Sequence, residues 1–468
     1  MTVAVGSDSL VSPDAAWIER LRAQLAGQLI TSDSVEFDAA RAVRDIMLER
    51  RPLAIVRPAT AEDVAEVVRV ARAYDLPLAI RSGGHSIARY GTIDGAIVID
   101  LSDMKRIDVN PLTRTASVQA GNTSGDLAGP AAVHGLALST GDTASVGFGG
   151  LTTGGGIGYM VRKYGLTIDN LLAAQVVTAD GVIVTASATE HPELFWAIRG
   201  GGGNFGIITE FTFRLAPVPQ ILGGLLMLPA TREVIRAYLE YAVAAPDDLT
   251  TLADVMLAPP FPFVPQEYVG QPVLSILVCW TGSEEEGERV LAPLRALATP
   301  VADLVSPIPY PDIYNFTEHL THPFGWSIRS MFANELSDAT LDAALDALRD
   351  TTSPFNLFHL RPLGGAMFRV SPGATAFAHR HQRYFVAVIG VWLDPNEDES
   401  LHQGWVKSLW QTIRHEADGV YVNFLEQEGE DRIHDAYPPA TYARLAEVKR
   451  RYDPDNVFRF NQNINPAG

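Results

Sequence analysis

Among the glycine-rich turns of this chain, the run Arg81-Ser82-Gly83-Gly84-His85-Ser86 constrains the fold most. The preceding Pro77-Leu78-Ala79-Ile80 is apolar enough to be a buried strand. Two glycines at its end remove every Cβ where the backbone has to pass close to something bulky. Successive backbone N–H groups in such a turn form a cradle for phosphate, and an imidazole held over it can reach the molecule that carries the phosphates. Gly-Gly-His by itself is usually only a turn, so the weight falls on its company.

A second stretch runs from Thr140-Gly141-Asp142-Thr143 through Val146-Gly147-Phe148-Gly149-Gly150 to Gly154-Gly155-Gly156-Ile157-Gly158. Its glycine content predicts neither a good helix nor a good strand, but close approach of main chain to a large ligand. Interleaved Val146, Phe148, Leu151 and Ile157 argue against a flexible linker, which would be polar. Gly154-x-Gly156 is not a dinucleotide fingerprint, because strand, tight turn and helix do not surround it and no acid follows at the ribose distance. Third, Gln175-Val176-Val177 and Val182-Ile183-Val184 flank Asp180-Gly181 as a hairpin. Pro192 then opens a short helix, and Arg199-Gly200-Gly201-Gly202-Gly203-Asn204-Phe205-Gly206-Ile207-Ile208 leads into a final strand. The fourth element is the closing Tyr452-Asp453-Pro454-Asp455-Asn456-Val457-Phe458-Arg459-Phe460-Asn461-Gln462-Asn463-Ile464.

In this order the four elements closely resemble the berberine-bridge-enzyme-like branch of the vanillyl-alcohol-oxidase flavoproteins. The resemblance implies an α+β fold: a two-subdomain, PCMH-type FAD-binding domain over 1–217, and a substrate domain over 218–419 with an antiparallel sheet flanked by helices. A return segment over 420–468 would complete the flavin site. It implies FAD bonded covalently through His85 to the flavin 8α carbon. Many relatives add a cysteinyl link in the second stretch; Thr143 stands there and cannot form it, so a single link through His85 is expected. The residues implied to hold the cofactor are Arg81, Ser82, Gly83, Gly84, His85, Ser86, Gly141, Thr143, Val146, Gly147, Gly150, Gly156, Gly158, Asn204, Ile208, Asn423, Asn461 and Asn463.

A length of 468 residues supports two domains, each able to bury a core. The formal charge of −19 argues against nucleic acid or anionic membrane as partners. Cys279 is the single cysteine, so no intramolecular disulfide forms, and its apolar neighbours predict an inert core thiol. Ala15 to Ile30 reads as an amphipathic helix rather than a basic leader with an apolar core, and a cytoplasmic location is expected. Thr60 caps a predicted helix carrying Val64, Val67, Val68 and Ala71, with Asp63 in a capping box, inside a strand-helix-strand unit from Leu53 to Ile80. Strands are predicted at Ile97 to Leu101 and Arg114 to Ala120, and Pro217 and Pro219 mark a boundary. Beyond it, helices at Glu284 to Ala296, Asp338 to Asp350 and Glu399 to Glu416 interleave with strands at Val273 to Trp280, Phe355 to Leu360 and Tyr384 to Trp392.

Flavin oxidation of an alcohol or amine needs a group to take the substrate proton as hydride leaves. Relatives supply a tyrosine inside the last glycine triplet or after the asparagine of a Tyr-Val-Asn segment; here those positions are Ile157 and Phe424, following Tyr421-Val422-Asn423. The remaining candidates are His359 and Arg361, which share a strand face by alternation before Gly364-Gly365. The histidine would suit a proton acceptor, and the arginine a phenolate, carboxylate or reduced-flavin charge. The expected function is therefore oxidation of a small organic molecule by an FAD enzyme that is monomeric or homodimeric, uses O2 and carries no metal. A dehydrogenase with another acceptor and a catalytically silent flavin-binding protein are the alternatives.

Overall fold

The computed structural model describes residues 13–467. The predicted strand-helix-strand opening is present. Strands Ala54–Arg57 and Leu78–Arg81 flank the helix Ala61–Ala73 and both pair in parallel with Ile97–Asp100, while Gln28–Thr31 adds an antiparallel edge. Thr60 accepts a hydrogen bond from the Asp63 backbone N–H and Asp63 reaches back, which satisfies the first orphan donors of the helix. The amino-terminal helix differs from expectation: it covers only Pro13–Gln24, and Gln28–Thr31 is a strand. A Cβ on Gly27 would lie 2.1 Å from the Arg57 carbonyl oxygen. Asp63 meanwhile accepts the Ala26 and Gly27 N–H groups, so the chain is held in a turn there.

A second sheet contains five antiparallel strands: Ile107–Asn110, Thr115–Gln119, Ile207–Arg214, Leu171–Val177 and Ile183–Ser187, in that spatial order. The hairpin turns through Gly181 at φ 74°, a left-handed conformation that glycine adopts without strain. Between these two sheets the second glycine-rich stretch departs from the expected irregular path. Phe148–Gly154 is a short helix, because buried Phe148, Leu151 and Thr152 anchor it to the core and outweigh the low helix propensity of its glycines.

The large sheet carries eight strands. Its main path places Ile221–Pro229, Pro272–Trp280, Leu249–Leu257, Leu357–Pro362, Tyr384–Trp392 and Gly325–Ala333 side by side, all antiparallel. One face, carrying Ala253, Val255, Phe358, Leu360, Val386 and Val388, buries helices Arg232–Ala244, Asp338–Ala347 and Glu399–Ile413. The opposite face, through Leu363, Phe385, Ala387 and Trp326, packs on Ile157, Val161 and Tyr421. The closing segment returns to the amino-terminal half: Val420, Leu445, Phe458 and Ile464 share a core with Val118, Phe195 and Phe211. Fully buried Lys449 fastens it, donating to Asp453 Oδ2 at 2.6 Å and to the carbonyls of Asn204 and Phe458. No described helix is long and apolar enough to cross a membrane.

Candidate active site

The first two glycine-rich runs cross in backbone contact. An ideal Cβ on Gly83 would lie 2.3 Å from the Gly147 nitrogen, and one on Gly147 would lie 2.3 Å from the Gly83 nitrogen. Ser82 secures the crossing by donating to the Ala120 carbonyl at 2.6 Å and accepting the Gly149 N–H at 3.3 Å. His85, beside Gly84 at φ 70°, lies with its Nε2 2.9 Å from Ser145 Oγ. Burial, reinforced by the Arg44 charge and only partly opposed by Asp142 and the Ser145 backbone, pulls its pKa down to about 3. The imidazole is therefore neutral at physiological pH and able to act as a nucleophile.

Other expected cofactor contacts divide into two groups. A Cβ at Gly150 would meet nothing within 4 Å, so this glycine borders open space. Asn461 Oδ1, Asn463 Oδ1 and Thr152 Oγ1 are buried without a hydrogen-bond partner among the described residues, an arrangement that fits a bound polar molecule and is costly otherwise. Asn423 lies against this cradle, donating to the Leu151 carbonyl and to the Tyr421 hydroxyl. The Val146 carbonyl accepts the Ser124 N–H, Ile208 pairs with Val176 in the second sheet, and Ser86 Oγ accepts the Tyr90 N–H.

The remaining residues are committed to the protein itself. Arg81 donates to Asp100 and to the carbonyls of Ala40 and Ala42, so its guanidinium locks the first sheet to residues 40–42 instead of reaching a ligand. Asn204 spends its amide on the Gly201 and Gln462 carbonyls and the Ile464 N–H, which makes it a clamp for the returning segment. Gly156 and Gly158 are glycine because a Cβ would collide with Thr167 Oγ1 at 2.0 Å and the Thr140 carbonyl at 1.7 Å. Gly141 faces Leu151, and Thr143 Oγ1 donates to Asp142 Oδ1 at 3.1 Å.

His359 and Arg361 do share the inner face of the large sheet, but as members of a longer polar chain. Across the register Ser275, Asp254, His359, Ala387 and Ser330 form one row. His359 Nδ1 lies 2.7 Å from Asp254 Oδ1, and Arg361 approaches His359 Nε2 with Nε at 3.3 Å and Nη2 at 3.1 Å. Arg361 also donates to the Ile157 carbonyl at 2.8 Å and forms an ion pair with Asp142. Burial opposes ionisation of Asp142, but the Arg361 guanidinium bonded to it outweighs this and holds the carboxyl below its usual range.

This chain changes the roles expected from the sequence. A guanidinium only donates, so His359 Nε2 is already an accepting nitrogen and Nδ1 carries the proton toward Asp254. No lone pair is left for a substrate proton. Arg361, 1% exposed, spends four of its five N–H groups on His359, Asp142 and the Ile157 carbonyl, so its guanidinium is held chiefly by the protein itself. The group with spare capacity is Asp254, whose Oδ2 has no hydrogen bond among the described residues and whose side chain keeps 26% exposure. It went unnoticed in the sequence, although a lone acid in Leu249–Leu257, an otherwise uncharged strand buried on both faces, is the signal that could have found it. Met256, Leu357 and Ile389, all half-buried, form the apolar row beside it. Tyr421, the nearest phenol in sequence to the missing one, accepts the Gly156 N–H and the Asn423 amide, and burial pushes its pKa up.

Comparison with known proteins agrees with this geometry. A family model described as an FAD binding domain matches residues 52–187, and one described as berberine and berberine like matches 420–465. An uncharacterised FAD-linked oxidoreductase of Bacillus subtilis is 31% identical over 466 residues, covering 95% of this chain and 98% of its own. The (R)-6-hydroxynicotine oxidase of Paenarthrobacter nicotinovorans is 31% identical over 469 residues, again with 95% and 98% coverage. Among solved structures, 6-hydroxy-D-nicotine oxidase from Arthrobacter nicotinovorans superimposes with a TM-score of 0.85 at 29% identity, over 94% of this chain and 98% of that one. Xylooligosaccharide oxidase from Myceliophthora thermophila does so with 0.84 at 25%, over 97% and 100%. With crossed glycine loops, an asparagine-lined cradle and relatives matched along nearly their whole length, the chain belongs to the berberine-bridge-enzyme-like family of FAD-linked oxidoreductases.

Proposed function

We propose that this FAD-linked oxidoreductase carries its flavin on a single covalent link through His85, passes electrons to O2, and oxidises a small organic molecule bearing a hydroxyl or a basic nitrogen. The observation that carries the substrate class is the chain Asp254–His359–Arg361–Asp142. Two carboxylates flank one guanidinium and one imidazole, and the carboxylate oxygen that accepts no hydrogen bond among the described residues is Asp254 Oδ2. A hydroxyl or ammonium hydrogen satisfies that oxygen, whereas a carboxylate placed against it would meet like charge. The amine and sugar substrates named in two relatives, 6-hydroxynicotine and xylobiose, both bring such hydrogens.

The bound flavin supplies hydride acceptance. Ser82, Gly83, Gly84, Gly147 and Gly150 would hold it by close backbone approach, and Asn423, Asn461 and Asn463 by their amides. Asp254 takes the proton of the substrate hydroxyl or ammonium on Oδ2, and His359 and Arg361 fix the carboxylate in place. The apolar row of Met256, Leu357 and Ile389 excludes water from the substrate body.

Acid-precipitated protein should stay yellow, with a single flavopeptide containing His85 and none containing Thr143. Under anaerobic conditions amines and alcohols should bleach the flavin and carboxylates of the same skeleton should not, and air should restore the colour with hydrogen peroxide formed. Colourless precipitate would remove the covalent link; bleaching by carboxylates alone would remove the substrate class. Cytoplasmic location is part of the same proposal, supported by the sequence reading, and fractionation of the producing cell tests it.

A further inference from the structure

We propose that Ser145 is the positioning residue for flavin attachment, holding the His85 ring through Nε2 so that the opposite nitrogen is presented to the flavin 8α carbon. The inference rests on the reading of His85 as the attachment site. Three contacts carry it. His85 Nε2 is engaged by Ser145 Oγ at 2.9 Å, while Nδ1 makes no hydrogen bond among the described residues. Arg44 Nη1 reaches the same Oγ at 3.3 Å, and the crossing of Gly83 over Gly147 fixes the two loops that bear the histidine and the serine.

The hydroxyl suits this place because it both donates and accepts. The guanidinium of Arg44 can only donate, so Ser145 Oγ accepts there and keeps a second lone pair and its own proton for His85. Before attachment Nε2–H donates to Oγ, which leaves the ring's lone pair on Nδ1, the nitrogen that attacks. After attachment Nδ1 carries carbon, Nε2 has lost its proton, and the serine rotates to donate to it. The same contact is thus satisfied on both sides of the reaction.

In the net step an Nδ1–C8α bond forms and one C–H bond of the 8α methyl group breaks. The methyl and imidazole hydrogens leave as protons, two electrons enter the flavin, and dioxygen removes them as hydrogen peroxide. Alanine at 145 can serve neither state, whereas threonine can serve both. The neutral ring that burial and Arg44 enforce is the form this step requires.

The test follows attachment itself. Full-length chain produced under riboflavin limitation is mixed with FAD in air, and covalent flavin is read as acid-stable fluorescence of the protein band on a denaturing gel, with total flavin bound read by absorbance. Ser145→Ala should bind FAD yet attach it several-fold to about tenfold more slowly, the loss expected for one hydrogen bond to the reacting ring, and Ser145→Thr should attach near the wild-type rate. Proton NMR of the histidylflavin isolated from wild-type protein should identify the Nδ1 isomer. Ser145→Ala attaching at the wild-type rate, Ser145→Thr as slow as alanine, or an Nε2 linkage would each overturn the proposal. A wild-type chain that never becomes fluorescent would instead overturn the attachment at His85 on which it rests.

Discussion

Arg361 caps His359: its Nε and Nη2 sit 3.3 and 3.1 Å from the imidazole Nε2, and the other ring nitrogen is 2.7 Å from Asp254. The histidine is therefore a bridge between a cation and a carboxylate. Both its nitrogens are spent, which leaves the carboxylate at the open end of the bridge as the proposed proton acceptor.

Substitutions along the bridge should accordingly differ in cost. Asp254→Asn removes the accepting charge and should slow anaerobic flavin reduction by roughly a hundred- to ten-thousandfold, the range for loss of a general base. His359→Gln can still donate to Asp254 and accept from Arg361, and should stay within about tenfold of wild type. Stopped-flow reduction with a substrate found by flavin bleaching measures both. Wild-type reduction by Asp254→Asn would move proton acceptance elsewhere.

Arg361→Met should cost stability before it costs chemistry. It strands the Asp142 carboxylate, the Ile157 carbonyl and His359 Nε2 around a side chain that is 1% exposed. Loss of one partner of a buried pair costs about 3–5 kcal/mol, and the 23% exposure of the Asp142 side chain points to the lower end. Because Asp142 titrates below its ordinary 3.8, the pair's contribution is complete above about that pH and fades only on further acidification. Denaturant unfolding at pH 7 and pH 3 should show a large difference between wild type and variant at the first and a smaller one at the second.

The elements of this molecule were legible in proportion to how local their signals are. Thr60 with Asp63, Asp180-Gly181 and Pro192 are decided by neighbours in sequence, and the helix, hairpin and helix start they predict are present. Phe148–Gly154 was not legible, because its helix is held by tertiary burial against the propensity of its glycines. The ties of the Arg81 and Asn204 side chains to the protein itself were not legible for a related reason. A residue type that suits a ligand suits a carbonyl equally well, and only the fold brings Ala40, Ala42 and Gln462 within reach. Period-two alternation put His359 and Arg361 on one face but could not reveal that Asp254, 105 residues away, occupies the neighbouring strand in register.

The titration of His85 gives a stability prediction for protein that has not yet attached flavin. Its pKa falls from 6.5 to about 3 on folding, so between these values the unfolded chain binds a proton that the folded chain does not. Stability must then decrease as pH falls below about 6.5, with a slope approaching roughly 1.4 kcal/mol per pH unit from this group, and level off near pH 3. His85→Gln should flatten that part of the profile. The attachment rate should show no loss from protonation of His85 between pH 8 and pH 5, since the nucleophile stays neutral throughout. Chemical denaturation and gel fluorescence across that range check the two statements separately, and a steep fall in attachment near pH 6.5 would contradict them.

Gly147 and Gly150 lie three residues apart and should respond to alanine in opposite ways. A Cβ at Gly147 would sit 2.3 Å from the Gly83 nitrogen and 2.4 Å from Ser82 Oγ, with backbone on one side that cannot yield without separating the two loops. Gly147→Ala should therefore lower stability and abolish covalent flavin together. A Cβ at Gly150 would meet nothing within 4 Å and lies inside the helix Phe148–Gly154, where alanine is favoured over glycine by up to about 1 kcal/mol. Gly150→Ala should thus raise the melting temperature of the flavin-free chain while weakening FAD uptake, because the room beside that glycine is where the cofactor approaches the backbone. Parallel melting curves and flavin titrations separate the two effects; undiminished FAD uptake by Gly150→Ala would show that the cofactor passes this helix elsewhere.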